Sequence, residues 1–359
     1  MQLSAAYSQG IADDELAILL RRIENCDAHN VLGIFSNFSE AARDTTAIAH
    51  AAVKRCGLSL MYASNAICDQ KDIVLEAVRN KGYNLEWASN TLRDNKCIVI
   101  EAERNFGNSL EYASKALRNE KCIVTEAVRQ NGYALHYASD ALRNDKCIVL
   151  EAVRQKGLAL KEASEALQNE KCIVTEAIHQ NGNALIFASE NLRNNRSVVL
   201  VALLETAGYA LEFASDTLRN DKSIVLEAVR LNGDALIFAS KDIRNNKSVV
   251  IEAVRENGYA LKHASDAIRD DKRIVLEAVS NNSHCIKYAS TTLQNDPDIK
   301  FLSSLRKRQH ANRLFAARLK YNSGWVRFAK SDKKQRSTSQ TLETRAKSPK
   351  KRSAKCNVQ

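Results

Sequence analysis

The stretch that decides the fold is one copy of a repeat, which reads Asn95-Lys96-Cys97-Ile98-Val99-Ile100-Glu101-Ala102, then Gly107, then Leu110-Glu111-Tyr112-Ala113-Ser114 and Leu117-Arg118-Asn119. Its Ala-Ser dipeptide recurs ten times, at intervals of 25 residues with one interval of 26. The pairs begin at Ala63, Ala88, Ala113, Ala138, Ala163, Ala188, Ala214, Ala239, Ala264 and Ala289. A glycine stands six residues before nine of the ten pairs. A fixed period of this length indicates a repeat architecture.

Both halves of each copy have helical periodicity. Apolar or small residues fall at i, i+1, i+4 and i+5 in the first half, and at i, i+3, i+4 and i+7 in the second. In one copy these positions hold Ile73, Val74, Ala77 and Val78, followed by Leu85, Ala88, Ser89 and Leu92. A β-strand would require alternation of apolar and polar residues, which this pattern lacks. The sequence therefore predicts an all-α protein.

Residues that recur at the boundaries of each copy predict where the helices begin and end. An Asp or Asn stands at each junction, where its side chain can cap the first helix of the next copy. These residues are Asp69, Asp94, Asn119, Asn144, Asn169, Asn194, Asn220, Asn245, Asp270 and Asn295. The recurring glycine is expected to end that helix in the left-handed conformation. Each copy is then a helix of about ten residues, a glycine turn and a second helix of similar length.

Helices this short are marginal alone, so the copies must stabilise one another by stacking. We predict an α-solenoid of about ten stacked 25-residue helical hairpins with a disordered basic C-terminal tail. The predicted boundaries are 1–44 for an N-terminal cap, 45–295 for the solenoid, 296–329 for a basic helical cap and 330–359 for the tail. Helices are expected at Asp13 to Glu24 and at about Ile299 to Lys320. The extra residue of the seventh copy, near Leu204 to Ala207, predicts a bulged glycine turn.

The positive charge is concentrated at the C-terminus. The chain carries a net charge of +11, and residues 296–359 hold 18 Lys/Arg against 4 Asp/Glu. Electrostatic attraction of a partner therefore concerns this segment. Its basic clusters are typical of nuclear-targeting and nucleic-acid-contacting tails, although a solvated, solubilising tail explains them as well. The residues concerned are Lys333, Lys334, Arg336, Lys347, Lys350, Lys351 and Arg352.

Composition also bears on the compartment. No stretch approaches 18 consecutive apolar residues, so we expect no membrane span and no membrane partner. The first 22 residues lack a basic start followed by an apolar run, so a cleavable signal peptide is not expected. The nine cysteines are an odd number and, without an export signal, are interpreted as reduced thiols. These features favour a cytosol-like location.

Two further segments show a family resemblance. They are Asn131-Gly132-Tyr133-Ala134-Leu135-His136-Tyr137-Ala138-Ser139 and Asn144-Asp145-Lys146-Cys147-Ile148-Val149-Leu150-Glu151-Ala152-Val153-Arg154. Over about residues 45–295 the chain resembles a repeat domain of unknown function with the motif G-x-A-L-x-[YF]-A-S-x-x-L. That family occurs largely in bacteria living inside amoebae or other eukaryotic cells and in large viruses of amoebae. The resemblance implies contact with a eukaryotic host, including secretion into the host cell as an effector. The basic tail adds the host nucleus as a further expected location. It supplies no catalytic residues.

No residue pattern indicates catalysis or a cofactor. Cys97, Cys122, Cys147 and Cys172 occupy one position in four successive copies. Equivalent atoms of stacked copies should lie about 10 Å apart, too far to share a zinc ion. We expect these cysteines to be small, half-buried residues. The serines of the Ala-Ser pairs occur ten times, whereas a nucleophile needs one base and one oxyanion hole. Packing, with the hydroxyl bonded to a carbonyl one turn back, is the preferred interpretation.

Three rows of equivalent side chains recur along the copies. An aromatic row comprises Tyr62, Trp87, Tyr112, Tyr137, Phe187, Phe213, Phe238 and Tyr288, with Glu162 and His263 as exceptions. It could stack bases or grip a peptide, but packing between copies is the simpler interpretation. An arginine row comprises Arg93, Arg118, Arg143, Arg193, Arg219, Arg244 and Arg269. A glutamate row comprises Glu76, Glu101, Glu126, Glu151, Glu176, Glu227, Glu252 and Glu277, and we expect it to pair with the arginine row.

The leading functional hypothesis is a non-enzymatic scaffold whose long surface binds a protein partner, with no cofactor. Residues that vary between copies at one position are the best contact candidates. They are Glu86, Glu111, His136, Lys161, Ile186, Glu212, Ile237, Lys262 and Lys287. The isoleucines at this position favour protein over nucleic acid. The alternative hypothesis is a nucleic-acid-binding or nuclear-targeted adaptor that uses the basic C-terminal segment.

Overall fold

A computed structural model describes residues 12–309 of the chain, and every regular element within this range is a helix. Ten units follow one another along residues 46–294, and each begins with an α-helix of ten residues. We number the units 1 to 10 by these long helices. Their bounds are Thr46–Arg55, Lys71–Asn80, Lys96–Asn105, Lys121–Gln130, Lys146–Gln155, Lys171–Gln180, Arg196–Glu205, Lys222–Leu231, Lys247–Glu256 and Lys272–Asn281. Successive long helices pack side by side, as do the elements that follow them. This confirms the all-α repeat stack.

The second half of each unit is not the single helix that periodicity predicted. It consists of a 3-10 helix followed by a short helix. The 3-10 helices span Gly57–Tyr62, Gly82–Trp87, Gly107–Tyr112, Gly132–Tyr137, Gly157–Glu162, Gly182–Phe187, Tyr209–Phe213, Gly233–Phe238, Gly258–His263 and Ser283–Tyr288. The short helices span Asn65–Cys68, Asn90–Arg93, Leu117–Asn119 (a 3-10 turn), Asp140–Arg143, Glu165–Gln168, Glu190–Arg193, Asp216–Arg219, Lys241–Arg244, Asp266–Arg269 and Thr291–Gln294.

A backbone hydrogen bond between units explains the interruption. The N–H of Ser89 donates to the carbonyl of Cys68 in the preceding unit at 2.9 Å, so it is not available to its own helix. Ala88 is accordingly extended, with φ −71° and ψ 154°. Ser89 then starts the short helix, and its Oγ accepts from Leu92 N at 3.2 Å. Because equivalent bonds recur at every junction through Ser290, the chain leaves the helix once per unit.

The predicted caps are displaced by one residue. The residue after each junctional Asp or Asn is the N-cap of the long helix, as Asn95 is for Lys96–Asn105 and Asp145 is for Lys146–Gln155. The junctional residue itself ends the short helix. Its side chain instead accepts a hydrogen bond from the serine of the next unit, as Asn169 does from Ser189 at 2.6 Å. It therefore connects two units.

Apart from Gly208, the recurring glycines do not adopt the left-handed conformation that we predicted. Among the described glycines, only Gly208 has a positive φ, at 88°. Glycine is needed elsewhere because the next unit lies against it: a Cβ on Gly132 would lie 2.4 Å from the carbonyl oxygen of Ala152. The backbone contact between units, rather than the turn, excludes a side chain.

The core is a continuous column formed by the inner faces of the units. Ile148, Val149, Ala152 and Val153 of one long helix are almost completely buried, together with Leu160 of its 3-10 helix. The same positions are buried in units 1 to 9, and in unit 10 the equivalent of Leu160, Ile286, is partly buried. Each residue packs against the neighbouring units as well as its own, which is the nearest-neighbour stabilisation expected of a solenoid.

Unit 7 confirms the predicted bulge. Its extra residue is accommodated in a turn in which Ala207 has φ 48° and Gly208 has φ 88°. The 3-10 helix then begins one residue late, at Tyr209. Leu204 of the same turn is 69% exposed.

The N-terminal end of the stack departs from the regular unit. Helices Asp13–Asn25, Ala28–Ser36 and Glu40–Arg43 precede unit 1, whereas the sequence predicted only the first. Ser39 caps the third of them, 25 residues before the equivalent Ser64. The N-terminal segment is thus a modified copy of the unit.

At the other end, residues 297–309 are helical. Asp296 caps this helix, accepting from Asp298 N at 3.0 Å, so Pro297 begins the helix. The predicted continuation of this helix to about Lys320 and the predicted disordered tail, 330–359, lie outside the described residues.

Candidate functional site

One exposed position in the 3-10 helices changes its chemistry from unit to unit. It follows the inward-facing leucine or isoleucine of each helix. From unit 2 to unit 10 it holds Glu86, Glu111, His136, Lys161, Ile186, Glu212, Ile237, Lys262 and Lys287, all exposed. We call these nine residues the variable row. The structure thus brings all the predicted contact residues onto one series of equivalent helices.

Members of the variable row contact the aromatic row of their own or the next unit. His136 Nδ1 lies 2.8 Å from Glu162 Oε2, which explains why unit 5 has a carboxylate where most units have an aromatic ring. The Nζ of Lys287 lies over the ring of Tyr288, 4.9 Å from its centroid. The variable row therefore lies on a partly apolar base.

The aromatic row itself is half-buried and packs against the core, as the simpler interpretation predicted. Burial, with the nearby carboxylate of Glu111, raises the pKa of Tyr137. The aromatic rings therefore pack mainly beneath the variable row and contribute little exposed surface of their own.

The exposed apolar members of the variable row lie in units 6 and 8, and Tyr209 of unit 7 lies beside the row. Ile186 and Ile237 are each 46% exposed, and Tyr209 is 48% exposed. The ring of Tyr209 lies edge-on to Phe238 of the next unit, with centroids 6.4 Å apart. These side chains form the apolar section of the site.

The serines of the Ala-Ser pairs are structural. Each hydroxyl from Ser64 to Ser290 accepts from the backbone three residues ahead and donates to the preceding unit. The prediction that each serine hydroxyl bonds to a carbonyl one turn back is wrong. The serine instead caps the short helix and connects it to the Asp or Asn of the unit before.

Comparison with known families matches the repeats. Six overlapping or adjacent matches to the model "Domain of unknown function (DUF4116)" cover residues 48–93, 70–118, 120–168, 171–219, 202–244 and 246–294. Together they span well over half of the chain. The chain belongs to the DUF4116 family. No curated protein and no solved structure matches it.

The long helices of the DUF4116 units carry two series of ion pairs. The first series joins an arginine near the helix end to the glutamate row of the next unit, as in Arg154 Nε to Glu176 Oε1 at 2.9 Å. The second joins the first residue of a helix to the N-cap of the next, as in Lys121 Nζ to Asp145 Oδ2 at 2.7 Å. The prediction that the arginine row pairs with the glutamate row is therefore wrong. These exposed pairs contribute at most about 1 kcal/mol each.

The four equivalent cysteines of DUF4116 units 3 to 6 are exposed rather than half-buried as predicted. They lie at the second residue of a long helix, on its solvent side. Within residues 12–309, no group of three or more His, Cys, Asp or Glu side chains is arranged to hold a metal ion.

The arginine row lies in the short helices and is half-buried. Arg93 Nε donates to the carbonyl of Tyr112 in the next DUF4116 unit at 2.5 Å. Arg43, which the repeat pattern did not single out, makes the same type of contact to Tyr62. The residues that interrupt the row, Cys68, Gln168 and Gln294, were also missed. Aligning the units by their serines would have revealed them.

The basic clusters predicted as a second site lie outside the described residues. They comprise Lys333, Lys334, Arg336, Lys347, Lys350, Lys351 and Arg352. Within residues 12–309, none of the helices has the length and apolar content needed to cross a bilayer.

Proposed function

We propose that this DUF4116 protein is a non-enzymatic scaffold that binds an extended segment of a partner protein along the variable row. One observation carries the proposal: the exposed position of the variable row changes its chemistry over nine units, while the buried framework beneath it stays nearly constant. A framework of this kind separates stability from recognition, because changes in the exposed row leave the core unaltered.

The spacing of the units fits an extended chain. Packed helices lie about 10 Å apart, and an extended peptide advances about 3.3 Å per residue. One residue in three of the bound segment would then meet one member of the variable row. Acidic residues in units 2 and 3, isoleucines in units 6 and 8 and lysines in units 9 and 10 define the complementary order of charges in the partner.

Exposed apolar side chains favour a protein over a nucleic acid. Ile186 and Ile237 cannot contact phosphate favourably, and Glu212 lies between them in the row. Buried apolar anchors with a polar surround are typical of protein interfaces. The family resemblance adds the proposal that the partner is a host-cell protein and that the chain acts there as an effector.

A non-enzymatic role is supported by how the polar groups are used. The serine hydroxyls that might act as nucleophiles each hold two hydrogen bonds within the stack. The glutamate row likewise pairs with neighbouring units, and Arg93 of the arginine row donates to the next unit. Their chemistry serves assembly of the repeats.

The test compares the full chain with two variants as bait in a eukaryotic lysate. Ile186→Asp combined with Ile237→Asp disrupts the apolar section, whereas Ile18→Asp alters a 59% exposed residue of the first helix, away from the row. We expect one protein to be retained by the wild type and Ile18→Asp and lost with the double variant. Equal retention by all three, or none above background, would contradict the proposal.

The alternative function, a nucleic-acid-binding or nuclear-targeted adaptor, has one supporting observation in the described residues. Arg306, Lys307 and Arg308, which belong to the basic segment 296–359, are exposed on the C-terminal helix. They extend its positive charge onto the end of the stack.

A further inference from the structure

The arginine row places one guanidinium at most junctions between neighbouring units. Arg43 Nη1 donates to the carbonyl of Tyr62 in unit 1 at 3.0 Å, and Arg93 Nε donates to that of Tyr112 in unit 3 at 2.5 Å. Between them lies the junction of units 1 and 2, where the equivalent acceptor is the carbonyl of Trp87. The two neighbouring junctions therefore define what an occupant of this position looks like.

At this junction the arginine is replaced by Cys68. Its thiol lies 3.6 Å from the carbonyl of Leu60, within its own unit, and is too short to extend across to unit 2 as arginine does. Burial raises the pKa of the Cys68 thiol, which favours its neutral form. The position thus loses both the volume and the charge of a guanidinium.

A cleft across the junction of units 1 and 2 is larger than its counterpart at a junction that keeps the arginine. It has a volume of 440 Å³, whereas the equivalent cleft between units 4 and 5, lined by Arg143 in place of Cys68, has a volume of 330 Å³. Leu60, Met61, Asn65 and Cys68 line the larger cleft from unit 1, and Trp87 to Asn90 line it from unit 2. The lining residues thus include Trp87 with its indole and Asn65 and Asn90 with their side-chain amides, and groups of these types suit a planar cation.

At two other positions of the arginine row, a glutamine replaces the arginine and donates to carbonyl groups of its own unit. In unit 5, Gln168 Nε2 donates to the carbonyls of Leu160 and Ala163 at 3.2 and 3.1 Å. In unit 10, Gln294 Nε2 donates to the carbonyl of Ala289 at 2.8 Å. A glutamine supplies strong donors to the end of its own 3-10 helix, whereas the thiol of Cys68 is a weak donor. Of Cys68, Gln168 and Gln294, Cys68 is therefore the weakest hydrogen-bond donor to the carbonyl groups around it.

We infer that the cleft at Cys68 binds an arginine side chain of the partner protein, which takes the place of the arginine missing from the row. This inference rests on the proposed function and specifies one anchor of the bound segment. Glu86 of unit 2 and Glu111 of unit 3 are exposed at the start of the variable row. Their carboxylates attract a basic segment toward this end of the row. Lysine fits less well, because its ammonium has neither the flat face that stacks on indole nor the fork of donors along a guanidinium edge.

The experiment uses Trp87 as its own reporter. The chain has two tryptophans, so Trp325→Phe leaves Trp87 as the sole indole emitter. This full-length protein is titrated with Nα-acetyl-arginine methylamide and with the neutral citrulline analogue. Two further variants are made in the same background: Cys68→Arg fills the cleft from within, and Cys68→Ser keeps it empty as the matched control.

We expect saturable emission changes with the arginine probe in the parent and in Cys68→Ser. The citrulline probe should bind about tenfold more weakly, because its neutral group forfeits cation–π and charge-assisted contacts. Cys68→Arg should not respond, and its melting temperature should equal or exceed that of the parent, since it restores the residue of the neighbouring units. An equal response of Cys68→Arg, equal binding of citrulline or no response to the arginine probe would overturn the inference.

The two proposals fail separately. If the partner is captured through Ile186 and Ile237 but the arginine probe does not bind, the cleft assignment is wrong and the scaffold proposal stands. If the probe binds and the Ile186→Asp and Ile237→Asp change has no effect on capture, the variable row is not the docking surface. Cys68→Gln, which reproduces the arrangement at Gln168, replaces Cys68→Arg if the latter does not fold.

Discussion

Ser189 Oγ donates a hydrogen bond to Asn169 Oδ1 in the preceding unit over 2.6 Å, and the same oxygen accepts from Leu192 N at 3.3 Å. One hydroxyl thus caps a helix and joins two units. Because equivalent bonds recur along the stack, the units are coupled through short-range polar contacts as well as through burial. Removing one of these hydroxyls should affect both the unit and its neighbour.

The serine cap gives the first prediction. Ser189→Ala should lower the free energy of unfolding by about 1–2 kcal/mol, because it removes a cap and leaves Asn169 without its donor. Asn191→Ala, at an exposed position of the same short helix, is the control and should change stability by less than about 0.5 kcal/mol. Urea denaturation measures both. Equal effects of the two substitutions would show that the hydroxyl is not a structural link.

The close contact between Gly132 and the carbonyl of Ala152 gives the second prediction. Gly132→Ala should destabilise the protein by about 1–3 kcal/mol, since the added Cβ would lie 2.4 Å from Ala152 O. Gly33→Ala provides the contrast: it lies within Ala28–Ser36, and no atom lies within 4 Å of its added Cβ. There alanine should stabilise the helix by up to about 1 kcal/mol. The sign of the two effects in denaturation is the readout, and a stabilising Gly132→Ala would contradict the contact.

The buried carboxyl group of Glu103 gives the third prediction. Glu103 is fully buried where the equivalent position of unit 2 holds Val78, and neither of its oxygens has a hydrogen-bond partner. Burial, followed by the nearby Glu126 carboxylate, raises the pKa of Glu103 to about 9. In the unfolded chain this group ionises near pH 4.5. The folded state therefore binds one more proton than the unfolded state between these two values.

Stability should accordingly fall as pH rises from about 4.5 to about 9, by up to about 1.4 kcal/mol per pH unit. Glu103→Val should remove this slope and raise stability at neutral pH. Glu101→Gln, which alters a half-buried carboxylate paired with Arg79, serves as the control for loss of an acidic group. Urea unfolding across this pH range decides the matter, and an unchanged slope in Glu103→Val would refute the assignment.

The basic C-terminal segment gives the fourth. If it contacts duplex DNA, binding should weaken steeply with salt, and each lost phosphate contact should reduce the log–log slope by about 0.9. Replacing its seven clustered Lys and Arg residues by Gln, from Lys333 to Arg352, should flatten the slope. Lys71→Gln with Lys115→Gln, both exposed on the stack, controls for net charge. Salt-independent or absent binding in the wild type would leave the segment as a solvated tail.

Much of the architecture could be predicted from the period alone. The spacing of Ala-Ser pairs indicated the number of units, and the apolar positions indicated the inner face of each long helix. The bulge at Ala207 and Gly208 followed from one additional residue. The variable row could also be predicted, because a position that accepts acidic, basic and apolar residues in different units has no fixed packing role.

Predictions failed where a residue is determined by its neighbour in space. The second half of the unit has continuous helical periodicity, yet Ser89 N bonds to Cys68 O and ends the 3-10 helix. The glutamate row pairs with arginines of the long helices because adjacent helices bring Arg154 to Glu176. Both outcomes depend on how one unit is positioned against the next, which the pattern within a unit does not specify.

The sequence by itself determined that short helices repeat and must stack, because each has one apolar face too small to be stable alone. Only the tertiary structure decided what each recurring position does: glycine admits a neighbouring carbonyl, serine joins two units, and Arg93 reaches the next unit where Cys68 does not. The physical reason is that periodicity reports burial, whereas hydrogen bonds and close contacts between units depend on the separation and orientation of backbones that meet only in the folded stack.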